Sequence, residues 1–355
     1  MFTLQFFYIV FFVLVFFILV KDRYAGLDTF ILVFITIMFI CIAGLRPAGL
    51  DKDYYIYEYY LKLILNDPTN DLIAKEPAFR IITGINARYF SNQMTSLLLF
   101  FACISVSLKI YSIRQLSTFP LMSILIYFSF YFIIHDMTQI RAAVASGLFL
   151  LSIPDIIEKR PVNYYIKIFL AISFHFSAAV LLPFYFLTTQ NFKVRNYFLL
   201  ILSGILISVF RINIEWIVIL IIKPFPLLYQ KYLVYINLFS QGHYTMINLW
   251  NLYYISMLFI FSIICLIYKE WKEDTLLKVL MKIWAIGIFS FYALWFLPAL
   301  SFRISELLNI VNIIILVNIS LYFRPSAIIK WLILIYSFFM FYNTIVIQKI
   351  INIAG

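Results

Sequence analysis

The polar residues with the most chemical potential stand nearly alone in apolar surroundings. Arg46, Arg141, Arg211 and Arg303 each lie at the end of a hydrophobic run or inside one. A guanidinium there offers a planar, permanently charged fork for phosphate oxygens, so arginines converging from separate segments would suit a lipid-linked diphosphate leaving group. The competing reading is that each snorkels to the membrane interface. In RPAGLDKDYY, Arg46 ends a run, Pro47 and Gly49 make a turn, and Asp51 and Asp53 follow. Asp51 there is either a base or the cap of the next helix. HDMTQIRAA sets His135, Asp136, Gln139 and Arg141 around the start of one helix, where i to i+4 spacing puts His135 and Gln139 on one face. Alternatively Asp136 caps that helix, with Arg141 paired to it or to a lipid phosphate. FLAISFHFSAAVLLPFY holds His175, a packing residue if the run is continuous. If the run breaks there, the imidazole lines a cavity and can relay a proton or hold a phosphate oxygen. SFRISELLNIVN places Arg303 and Glu306 one turn apart, with Asn309 and Asn312 beyond, as a polar edge that must face protein or water.

The elements that position these groups have to be membrane helices. With 65% hydrophobic and 12% charged residues in 355, and a mean hydropathy of +0.99, the chain lacks the polar surface a water-soluble fold needs. Lipid leaves backbone groups without outside partners, and long apolar runs without strict alternation select helices over a barrel. Runs near 2–20, 29–45, 93–111, 119–134, 137–153, 164–188, 197–222, 248–268, 279–297, 304–323 and 328–346 imply an all-α, polytopic transmembrane bundle of about 11–12 membrane segments. One integral membrane domain over 1–355 is expected. The first twenty residues lack a basic start and a cleavage site, and read as a retained span.

The net charge of +11 is scattered in ones and twos, which favours membrane lipid and lipid diphosphates as partners over nucleic acid. Cys41, Cys103 and Cys265 lie inside apolar runs and read as packing residues; no metal motif, nucleotide loop or cofactor signature is present, so no cofactor and no metal are expected. Lys21 with Arg23, Lys109 with Arg114, Lys159 with Arg160, Lys193 with Arg195, and Lys269 through Lys282 read as cytoplasmic loops by the positive-inside rule. The segment 46–92 is then periplasmic and carries amphipathic helices, and 223–247 is a periplasmic tyrosine-rich loop with Tyr229, Tyr232, Tyr235 and Tyr244. Those tyrosines stack on sugars or form an interfacial belt. The count requires one of 164–188 and 197–222 to be re-entrant or broken; Ser173, His175 and Pro183 favour the first, Arg211 the second.

The ordered set of Arg46–Gly49–Asp51 with following tyrosines, Glu76–Pro77, MTQIRAAVA, ISFHFSAAVLLP and LSFRISELLN resembles the EpsG/Wzy-type polysaccharide polymerases. That resemblance implies a GT-C-like membrane glycosyltransferase of the bacterial inner membrane, its active site facing the periplasm. It would transfer a growing undecaprenyl-diphosphate-linked chain onto a new lipid-linked repeat in O-antigen or surface polysaccharide assembly. A chain-length regulator and a flippase of the same pathway are the expected protein partners. Carried over, Asp51, Glu76, His175 and Arg303 are catalytic candidates, and Arg46, Gln139, Arg141, Glu306 and His135 bind substrate. The base is Asp51, Glu76 or His175. Rival readings are an O-antigen ligase, a lipid-linked oligosaccharide flippase and a sugar acyltransferase.

Overall fold

The computed structural model describes residues 2–20, 28–67, 75–242 and 247–352. The expectations placed on Lys21, Arg23 and Tyr244 lie outside the described residues. No strand forms among the described residues; the one isolated bridge joins Asp51 and Ile351. The helices in chain order are α1 (Leu4–Val20), α2 (Asp28–Gly44), α3 (Tyr54–Asn66), α4 (Pro77–Tyr89), α5 (Met94–Leu116), α6 (Pro120–Ser129), α7 (Ile140–Ile157) and α8 (Pro161–Phe174). They continue as α9 (Val194–Val209), α10 (Glu215–Ile222), α11 (Pro226–Ser240), α12 (Leu252–Leu266), α13 (Tyr268–Trp271), α14 (Thr275–Ala293), α15 (Pro298–Asn309), α16 (Asn312–Asn318) and α17 (Ser326–Tyr342).

Among the described residues five helical stretches, Met94–Leu116, Ile140–Ile157, Thr275–Ala293, Pro298–Tyr322 and Ser326–Ile347, are long and apolar enough to cross a membrane, and six shorter apolar helices accompany them. Bulky apolar side chains point outward from several of these, as with Phe12 and Phe16 on α1, Phe30 and Phe34 on α2, and Trp331 and Ile335 on α17. Such faces are stable only against lipid tails. The protein is a multi-pass helical membrane protein.

The described helices pack as two compact units, one of residues 1–154, 162–175 and 316–355, the other of 155–161 and 176–315. In the first, α2 and α5 run antiparallel. Gly44 meets Leu99 so closely that an added Cβ would fall within 3 Å of its backbone, while at the other end Arg114 donates to Thr29 Oγ1 at 3.4 Å. Small residues let membrane helices approach in this way. α1 and α17 are likewise antiparallel, joined through Tyr8 with Phe341 and Phe11 with Phe338 at ring separations of 5.4 and 5.7 Å. In the second unit α14 is central, packed by α9, α12 and α15, with Gly204 admitting Phe289 and Gly287 admitting Asn309.

Several expectations are corrected. Lys109 is not in a cytoplasmic loop: it sits inside α5, fully buried, because its amine finds Asp136 Oδ2 at 2.7 Å. Lys282 is likewise inside α14, where it donates to the carbonyls of Thr188 and Gln190 at 2.6 and 2.8 Å. Most of the 223–247 segment, expected as a loop, is helix α11, opened by Pro226 at its first turn and held by Tyr232, whose hydroxyl donates to Glu215. Both 164–188 and 197–222 are interrupted. α8 stops at Phe174 and a 3₁₀ helix spans Phe176–Phe186; α9 stops where Arg211 takes a left-handed φ of +51° before α10. Finally, Cys41 and Cys103 are exposed on α2 and α5; of the three cysteines, Cys265 alone is buried.

Candidate functional site

In the first unit two buried carboxylates pair with arginines around α3 and α4. The turn after α2 is set by Gly49 at φ +76°, which brings Asp51 back so that Arg46 Nε donates to its Oδ2 at 2.7 Å. Both side chains are fully buried. Asp51 Oδ1 also accepts the Asp53 N–H at 3.0 Å, so this carboxylate organises the turn, while Asp53 takes the N-cap position of α3. The chain's C-terminal segment pins the turn from outside: the Asn352 N–H donates to the Leu50 carbonyl at 2.6 Å and its side chain to that of Gly49 at 3.1 Å.

The second pair is long-range. Pro77 starts α4 and places Glu76 at its N-cap, yet the Glu76 carboxylate does not cap its own helix. It turns to Arg141, 65 residues away at the start of α7, whose Nη1 donates to Oε2 at 2.7 Å. Glu76 is fully buried, while the Arg141 side chain is 16% exposed. The other carboxylate oxygen lies 3.9 Å from His175 Nδ1, at the break after α8. The guanidinium also sits 5.4 Å from the Phe79 ring and 5.8 Å from that of Tyr57, within cation–π range. Burial pushes the Tyr57 phenol up to about 12, against the pull of the Arg141 charge, so it remains a neutral donor at ordinary pH.

The helical phase of these elements explains the placement. On α4, Phe79, Ile82, Thr83 and Asn86 are buried at i, i+3, i+4 and i+7, and on α3 Tyr57 and Leu61 are buried at i and i+4. One stripe of each helix therefore faces the unit's interior, and Tyr57 lies in it while Tyr55 and Tyr59 point away.

His135 and Gln139 are not on one α-helical face. Phe132–Asp136 is a π-turn and α7 begins only at Ile140, so the expected i to i+4 relation is lost. His135 is buried, 5.6 Å from the Tyr131 ring, with Nδ1 3.4 Å from Ser146 Oγ. Gln139 lies just ahead of α7 and accepts the Ala143 N–H at 2.9 Å through its carbonyl. Asp136 neither caps α7 nor pairs with Arg141; it accepts from Ser105 at 2.6 Å, and from Lys109 and Tyr127 at 2.7 Å each.

In the second unit, Arg303 Nη1 donates to the Tyr235 hydroxyl, with the guanidinium 5.1 Å from that ring. Glu306 is buried on the same helix, α15, beside Ser305, which bonds the Tyr254 hydroxyl. Asn312 donates to Met257 Sδ at 3.3 Å, and Asn309 is fully buried against Gly287, so the polar edge of this segment does face protein.

Sequence reading missed Tyr57 as a neighbour of Arg141, and missed the Lys109, Asp136, Tyr127 and Ser105 cluster altogether. The stripe through Tyr57 and Leu61 was available as a signal for the first. For the second, a lysine near the end of an apolar run was the hint, and nothing local named its partner.

The family described as the EpsG family matches the chain over residues 29–353. No curated protein and no solved structure matches it.

Proposed function

Since the chain belongs to the EpsG family, we propose that it is a membrane glycosyltransferase that polymerises undecaprenyl-diphosphate-linked oligosaccharide repeats at the periplasmic face of the inner membrane. Family membership supports a polysaccharide polymerase role in general. The observation that carries the finer reading is the Glu76, Arg141 and His175 cluster, in which a buried carboxylate holds a partly exposed arginine side chain and stands beside a histidine.

In the proposed step an acceptor-sugar hydroxyl attacks the anomeric carbon of the donor chain. A glycosidic C–O bond forms, the bond from that carbon to the diphosphate oxygen breaks, and the carrier leaves as its diphosphate. Arg141 stabilises the diphosphate as negative charge develops, an interaction that strengthens in the transition state. Of the three candidate bases, Asp51 is committed to Arg46 and to the Asp53 N–H, and Glu76 to Arg141. His175, whose Nδ1 stands 3.9 Å from Glu76 Oε1, is the proposed proton acceptor, with Glu76 stabilising the imidazolium that results. Tyr57 is the phenol best placed to share the Arg141 charge. Within its own unit, Arg303 is held by Tyr235 and is proposed as a second arginine required for polymerisation.

The test is a single lipid-diphosphate-linked repeat supplied to the purified protein in nanodiscs. A ladder of multiples supports polymerisation. Recovery of the repeat unchanged, from a preparation that binds it, would sink the proposal and favour the flippase reading.

A further inference from the structure

The first unit has a second end, remote from Arg46 and Gly44, where Thr29 meets Arg114 and where α5 gives way to α6. A cavity of about 200 Å³ opens there, between the C-terminal turn of α1 and the N-terminal turns of α6 and α17. Its walls are apolar, from Ile18, Leu19, Leu121 and Leu334, and Trp331 stands at its rim, 56% exposed. Among the described residues its lining contains no carboxylate and one cation, Lys330, whose ammonium rests 3.9 Å from the centre of the Phe119 ring.

We infer that this groove binds one anionic phospholipid, its phosphate on Lys330 and an acyl chain between α1 and α17. Three observations combine. Neither α6 nor α17 has a side-chain cap at its start, so both first turns offer positive dipole ends on the same side as Lys330. The platform under Lys330 is built rather than incidental: Asn318 accepts the Thr118 N–H at 2.9 Å and donates to the Leu116 carbonyl at 2.8 Å, fixing the loop that presents Phe119. Exposed Arg114 and Arg324 add positive charge at this end of the unit, and an indole at the rim sits where membrane proteins place tryptophan, at headgroup level. An aliphatic groove leading away from a lone cation fits an anion that carries its own hydrocarbon. A soluble anion would leave those walls in water.

The test uses the full chain in mixed micelles and reads quenching of Trp331, isolated by subtracting the signal of Trp331→Phe. Brominated phosphatidylglycerol should quench at about fivefold lower mole fraction than brominated phosphatidylcholine, the advantage of one near-surface cation–anion contact. Lys330→Gln should remove that preference and Lys330→Arg keep it. Lys330 is only partly buried, so neither change threatens folding. Equal quenching by both lipids, a preference that survives Lys330→Gln, or one abolished by inorganic phosphate at constant ionic strength would each overturn the inference.

Discussion

Glu76 and Arg141 are coupled by one short charge-assisted contact, so changing either member alone leaves the other without its counter-charge. Glu76→Gln should destabilise the protein by about 3–5 kcal/mol, the usual cost of breaking a buried pair, while an apolar replacement of both partners should recover most of that stability. Polymerisation should not recover in the double variant, because the arginine is absent from the developing diphosphate charge. A thermal melt in detergent set beside the product ladder separates the two effects. Arg141→Lys keeps the charge but loses the fork; we expect ladder formation to fall by about a hundredfold with the melt nearly unchanged. Tyr57→Phe keeps the ring against the guanidinium and removes only the hydroxyl, so its loss should be milder, about tenfold or less. Activity of Arg141→Lys close to wild type would remove this arginine from the chemistry.

The elements show how local rules place those residues. Pro77 and the apolar stripe of α4 were readable in the sequence, and they put Glu76 at a helix start facing inward. The partner of Glu76 was not readable, because nothing near either residue encodes a 65-residue separation. The turn at Gly49 was also legible, but its clamp by the C-terminal segment was not. Truncation after Ile350 removes Asn352 and the Ile351 bridge to Asp51. Amide exchange over residues 49–53 should then quicken by about tenfold or more, with helices α5 and α7 unaffected. Gly44→Val tests helix approach instead: a branched side chain there meets the Leu99 backbone, so α2 must move off α5 and the yield of folded protein should drop sharply.

For the molecule as a whole, the positive-inside argument and the antiparallel helices of the first unit make a joint prediction. Arg114 and Arg88 are both exposed, one at the C-terminal end of α5 and the other at the end of α4, which leads into the start of α5. In a background lacking Cys41, Cys103 and Cys265, single cysteines at these two positions should react with an impermeant thiol reagent from opposite sides of the membrane. Labelling from the same side would overturn the expected membrane crossing of α5. Composition and run length by themselves determined that the chain is a helical membrane protein, because lipid permits few other ways to satisfy a backbone, and the ordered short motifs pointed to the family. Tertiary structure alone decided which charges meet: Lys109 with Asp136 rather than with cytosol, Arg141 with Glu76 rather than with Asp136. Hydrophobic periodicity records which face of a helix is buried, whereas pairing depends on which two faces come to oppose each other, a property of the packed bundle that no single segment contains.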